Sequence, residues 1–144
     1  MTTPAETVAE FFRVVRSGER PDRAAEYLAP EVLAHQVRSD SPETIRRDPE
    51  GYADHVRDML STFGPFRLTI DEFISDGDRV YVRWIQDGWH QDMIEGFPPT
   101  GRPLRTVGSA VYRVQQGKII EYWMQQDQAG LLAQLEEAQD KRPL

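Results

Sequence analysis

Apolar residues recur along this chain with two different periods, and the switch between them divides it. Up to Gly64 the spacing is helical. Val8, Phe11, Phe12 and Val15 fall at i, i+3, i+4 and i+7, one apolar stripe of a helix. Thr3-Pro4-Ala5-Glu6 stands before it with the form of a capping box and a proline at the first helical position. Ser17-Gly18 ends it. A second short helix is expected from Asp22 to Leu28, stopped at Ala29-Pro30 because a residue before proline avoids the helical region. Glu31 to Val37 reads as a short strand or an extended turn, and Pro42 to Arg47 as one helical turn. Asp48-Pro49 supplies an N-cap and a leading proline for the next helix. Its apolar face is Tyr52, Val56, Met59, Leu60 and Phe63, and Gly64-Pro65 closes it.

Beyond Gly64 the period falls to 2. Phe66, Leu68 and Ile70 alternate, then Phe73 and Ile74 break phase, which marks a bulge. Asp76-Gly77 signals a tight hairpin into a long strand from Arg79 to His90. Gln91 to Pro103 reads as a loop or wide hairpin. Leu104 to Val114 and Lys118 to Gln126 form a further hairpin around Gln116-Gly117. Asp127 stands where it would cap a last helix with Leu131, Leu132 and Leu135 inside. Helices first and a strand meander after make an α+β fold rather than alternating βαβ units. The economical solution is one curved antiparallel sheet covered by N-terminal helices, a cone with an internal pocket. We expect a single domain over 1–138 and a frayed tail over 139–144.

Composition narrows the function classes. The 144 residues suit one domain with a real core. Seventeen basic against 24 acidic residues give a net charge of −7, which argues against nucleic acid or an anionic membrane as partner. Without cysteine there is no disulfide framework, thiolate nucleophile or thiolate metal site. No signal peptide or membrane span is expected, and a cytoplasmic location is the default.

Several motifs together resemble the SnoaL-like polyketide cyclase (ester cyclase) family, within the nuclear-transport-factor-2-like superfamily. They are Pro98-Pro99-Thr100-Gly101-Arg102, Tyr112-Arg113-Val114 with Gly117-Lys118-Ile119, and Glu121 and Trp123 followed by Asp127 and Gly130-Leu131-Leu132. Gly88 and His90 match a pattern that ends the long strand. The resemblance runs from Val8 to Leu135. It implies an intramolecular aldol closure of a polyketide ester without metal or organic cofactor. An aspartate on the last strand would act as the acid/base. Counting from Gly117-Lys118 and Asp127, that position holds Met124, which has no exchangeable proton. The position of a histidine found on the preceding strand in some members holds Ala110.

The surviving candidates for catalysis are therefore Asp127, His35 and His90. Asp127 is either a helix cap or a general base. His90 ends a long strand beside a loop, where it is either solvated or a proton carrier. His35 falls where the resemblance implies a histidine facing the cavity. His55 is assigned to a helix flank without a role. A metal site of His35, His90 and Asp127 is rejected because its spacing matches no metal motif. Period-2 counting sets Tyr122, Met124 and Gln126 on the cavity face, with Tyr122 as a donor to a carbonyl. Trp123 falls on the alternate face; it and Arg83 complete the candidate substrate-binding residues. Arg83 is either paired outside the sheet or poised for an anionic ligand. The loop Asp92–Pro99 is apolar enough to close the pocket mouth or to meet a partner subunit.

The leading expectation is cofactor-independent proton transfer on a hydrophobic carbonyl small molecule, by cyclisation, isomerisation or dehydration, in a homodimer. The rival is a non-catalytic binder or scaffold relative that has lost the family aspartate. Epoxide opening on the same fold needs an Asp/Arg network, for which Arg83 and one acid are thin support.

Overall fold

The computed structural model describes residues 2–140. Thr3 Oγ1 accepts the Glu6 amide at 3.1 Å, and helix α1 (Pro4–Phe11) starts there. A π-helical turn follows over Phe12–Arg16, closed by the Ser17 amide donating to the Phe12 carbonyl at 2.9 Å. A 3-10 helix spans Pro21–Glu26, shorter than the helix expected there. Strand β1 is Leu28–Gln36 and β2 is Glu43–Arg47. The helical turn expected over Pro42–Arg47 is thus a strand. Thr44, Ile45 and the arginines pair antiparallel with β1, and that ladder outweighs local propensity. Helix α2 (Pro49–Phe63) begins as expected, with Asp48 Oδ1 accepting the Gly51 amide at 2.7 Å.

Strands β3 (Arg67–Asp76), β4 (Arg79–Trp89), β5 (Pro103–Gln115) and β6 (Lys118–Gln126) form the meander. Helix α3 covers Gln128–Asp140. The frayed tail expected over 139–144 overlaps α3 at residues 139 and 140; residues 141–144 lie outside the described residues. The sheet order is β2-β1-β6-β5-β4-β3. Most neighbours are antiparallel, but β1 runs parallel to β6, with Ala34 opposite Tyr122 and Gln36 opposite Met124. Bulges bend the sheet. One is at Asp71, between the pairs Ile70–Trp84 and Glu72–Arg83, where the apolar phase breaks in the sequence. Another lies in β6 between Ile119 and Glu121. The β5–β6 turn holds Gln116 at φ 52° and Gly117 at φ 75°, the two positive φ values of a type I′ hairpin.

One face of the sheet is covered by α1, the π turn and α2. Val8, Phe11 and Val15 are fully buried there, in one cluster with Val80, Val82, Trp84, Tyr112 and Ile119. Each such side chain contributes roughly 1.5–3 kcal/mol by leaving water. Trp84 lies across Gly108 on the neighbouring strand. A Cβ there would sit 2.6 Å from the indole ring, so only glycine lets the ring lie flat. A second cluster joins α3 to the end of β5 through Leu104, Leu131 and Leu135. No described helix is long and apolar enough to cross a membrane.

Candidate functional site

The elements on the inner face meet around a cavity of about 220 Å³. Helix α2 presents Tyr52, His55, Met59 and Phe63, spaced three, four and four residues apart, a single helical face. The π turn adds Arg16, β5 adds Tyr112, and β6 adds Tyr122, Met124 and Gln126. Glu95 of the β4–β5 loop and Gln128 and Leu131 of α3 complete the lining. The rings interlock. Tyr52 lies edge-on to Tyr122 at 6.4 Å and 5.9 Å from His55, and Tyr112 is 5.3 Å from Tyr122.

Burial governs the chemistry of these groups. It pushes the Tyr52, Tyr112 and Tyr122 phenols up from their ordinary values, so they are hydroxyl donors at neutral pH. At Tyr122 the charge of Arg47 and a hydrogen bond from it partly oppose that rise. Burial also lowers His55 to about 4, and the charges of Arg47 and Arg16 add to the effect. His55 is therefore a neutral imidazole at neutral pH. Arg16 is 6% exposed. Its Nη1 donates to Gln86 Oε1 at 3.0 Å, and its guanidinium lies 5.4 Å from the Trp84 ring and 5.7 Å from that of Phe66.

The residues singled out in the sequence divide sharply. Tyr122, Met124 and Gln126 line the cavity. Met124 stands directly opposite Ala110 in the β5–β6 ladder, so the two positions that depart from the family pattern are neighbours. The other five candidates lie elsewhere. His35 and Trp123 are opposite one another on the outer face, stacked at 5.3 Å. There His35 Nε2 lies 2.6 Å from Glu121 Oε2 and its Nδ1 lies 2.9 Å from Thr44 Oγ1. Ala34 takes the inward place, and the pleat turns the next residue out. Arg83 is also outside, paired with Asp71 at 2.9 Å.

His90 is fully buried, not solvated, but inside the β4–β5 loop. Its Nε2 lies 3.2 Å from the Phe97 carbonyl, which can only accept, so that nitrogen carries the proton. Its Nδ1 lies 3.2 Å from Thr100 Oγ1. Asp127 is exposed, and its Oδ1 accepts the Gly130 amide at 3.0 Å as the N-cap of α3. Of the lining residues, only Tyr122, Met124 and Gln126 were among the candidates; the most consequential of those missed are His55 and Arg16. His55 follows Tyr52 by three and precedes Met59 by four, which is the apolar face itself. Arg16 follows Phe12 by four on the stripe of α1, a charge on an apolar face.

A larger groove of about 460 Å³ runs between α1 and the inner face of β3, lined by Ala9, Phe12, Leu68, Ile70 and Phe73. Its polar residues are Arg13, already bound to Glu10, and Ser17, whose hydroxyl donates to the Arg13 carbonyl. It offers no proton acceptor for reaction at carbon, so the smaller cavity is the candidate site. Among the described residues no group of three or more His, Asp or Glu side chains gathers closely enough to hold a metal ion.

Helices covering a bent six-stranded sheet, with a cavity of tyrosines, imidazole and guanidinium between them, define a cone-type α+β fold. The SnoaL-like polyketide cyclase family model matches residues 6–135, and the chain belongs to that family. Membership implies cyclase- or isomerase-type chemistry without a cofactor. A protein from Acidithiobacillus ferrooxidans, provisionally named a polyketide cyclase, is 27% identical with a TM-score of 0.80, over 96% of this chain and 98% of its own. IdmH of Streptomyces antibioticus, also provisionally named a polyketide cyclase, is 29% identical with a TM-score of 0.76, over 94% and 99%. AclR of Streptomyces galilaeus, provisionally a hydroxylase, shares the fold at 18% identity and a TM-score of 0.75, over 93% and 96%. No curated protein sequence matches the chain.

Proposed function

We propose that this protein transfers a proton on an apolar carbonyl compound of polyketide type, within the inner cavity and with its own side chains alone. The observation that supports this most is the convergence of a neutral imidazole, three hydroxyl donors and a guanidinium on one cavity. In this reading His55 takes the proton from the carbon next to the carbonyl. The C–H electron pair becomes the enolate double bond, and the negative charge moves to oxygen. Tyr122 donates to that oxygen, its hydroxyl polarised by Arg47. Return of the proton from His55 to another carbon gives isomerisation; attack of the enolate on a second carbonyl closes a ring, and the alkoxide formed there takes the proton from His55. His55 replaces Asp127, His35 and His90 as the base in this scheme, because they lie outside the cavity lining.

The test is deuterium exchange from solvent into a panel of apolar 1,3-dicarbonyl compounds, followed by mass spectrometry. Exchange above the buffer rate, reduced about a hundredfold in His55→Gln, is expected. A wild-type protein that binds a panel member yet exchanges it no faster than buffer overturns the proposal.

One observation favours a second reading. Met124 and Ala110 face each other where the family resemblance implies an aspartate and a histidine. A protein that binds without catalysis would show no exchange until Met124→Asp restores it.

A further inference from the structure

The Arg16 guanidinium is buried to all but 6%, and among the described residues it forms no ion pair. Asp71, which pairs with Arg83, and Glu121, which pairs with Arg113, are on the outer face of the sheet. Arg16 has instead one neutral amide and two aromatic faces. Arg47, partly buried at the end of edge strand β2, adds a second cation. Its Nε is buried without a hydrogen-bond partner, and its charge acts on Tyr52, His55 and Tyr122. Two cations thus bear on one small cavity whose remaining walls are neutral apart from Glu95, exposed on the loop. A buried cation without a counter-ion is a costly arrangement, and ring faces compensate it only in part. A guanidinium also retains donors in a planar fork suited to two oxygens. The protein as a whole carries −7, so general electrostatics repel anions and any preference for one has a local source.

We propose that the cavity's ligand is an oxyanion on an apolar ring-sized body, a carboxylate or a stabilised enolate or phenolate, whose negative oxygen is bound by Arg16. This rests on the reading of the cavity as a small-molecule site and names its substrate class. At about 220 Å³ the cavity falls below the ~300–1,000 Å³ usual for small-molecule sites, which limits the body to one or two rings. Met59, Met124 and Leu131 supply the apolar wall. The anion gives Arg16 the counter-charge the fold lacks.

The test compares 2-naphthoate with 2-naphthamide, equal in shape and different in charge, by titration calorimetry on the full chain. A third probe, 2-naphthol, is titrated below and above its own ionisation and separates a phenolate preference from a carboxylate one. Naphthoate is expected to bind about tenfold or more tighter than naphthamide, the range of a charge-assisted hydrogen bond. Arg16→Met should remove that preference, so that naphthoate and naphthamide bind alike; Arg16→Lys should retain part of it. Naphthol bound tighter as its anion, with naphthoate and naphthamide equal, supports the enolate or phenolate form. Equal binding of neutral and charged forms throughout overturns the inference and leaves the cavity standing, as does a naphthoate preference that survives in Arg16→Met. If Arg16→Met does not fold, the wild-type comparison decides alone. No binding of any probe by folded protein overturns the ligand site itself, and the inference with it.

Discussion

His55 is the residue whose surroundings depart most from what its neighbours in sequence suggest. Asp54 and Arg57 beside it are exposed and paired with each other at 2.9 Å, while His55 turns inward. Its lowered pKa links folding to pH. Between its ordinary value of 6.5 and about 4, the unfolded chain binds a proton that the folded one refuses. Stability from this group is therefore undiminished above pH 6.5, falls as pH drops through that window, and levels off below about 4. The loss is about 3.5 kcal/mol at most, at roughly 1.4 kcal/mol per unit. Urea unfolding at steps from pH 7 to 4 should show a shallower decline for His55→Gln than for the wild type. Parallel curves would contradict the buried imidazole. Glu121 acts in the same direction from the other face of the sheet. The His35 hydrogen bond, joined by Arg113, holds its carboxyl below the usual range, so that contribution is lost as pH falls toward and below 4.5. The comparison with His55→Gln cancels it, because Glu121 is present in both proteins.

At the scale of elements, two groups that resemble catalysts fasten secondary structure. Asp127 caps α3, and Asp127→Ala should cost about 1 kcal/mol in chemical denaturation while leaving probe affinity unchanged. A large loss of turnover without loss of stability would return Asp127 to the chemistry. His90 fastens the loop between β4 and β5 from within, through Phe97 and Thr100. His90→Ala leaves a void and unpaired polar atoms, and about 2–4 kcal/mol of destabilisation is expected. Faster proteolytic cutting between residues 91 and 102 would locate the damage in the loop. The π turn shows how an element decides a site. Its one extra residue per turn shifts the helix face just before Arg16, and such bulges recur at functional sites.

At the scale of the molecule, charge is distributed against the net balance. The chain is acidic overall, yet its cavity is governed by two arginines and a neutral histidine. Met124→Asp therefore adds a carboxylate to a partly apolar wall within reach of a cationic field. It should destabilise the fold by about 1–3 kcal/mol, the usual effect of burying a polar group. The same carboxylate would compete with 2-naphthoate for Arg16, so the variant should lose affinity for naphthoate and keep it for naphthamide. Unchanged naphthoate affinity would show that Met124 and Arg16 serve separate parts of the cavity.

Local sequence alone determined α1, α2 and α3, the long strands, the break of phase before Phe73, the Gln116-Gly117 turn and the α+β class, because these depend on residues a few positions apart. The inward side of Tyr122, Met124 and Gln126 was legible for the same reason: once Met124 is inside, the pleat carries the others with it. What only the tertiary structure decided depends on partners distant in sequence. The parallel pairing of β1 with β6 sets His35 beside Trp123 on the outer face, and nothing within β1 specifies which strand it meets. Glu43–Arg47 is a strand because β1 offers it a free edge. Arg16, His55 and Tyr122 share one cavity only because a π turn, a helix and the last strand converge there. A charge or an imidazole on an apolar stripe could be seen in the sequence, but the burial that gives it a chemical role comes from the far side of the fold.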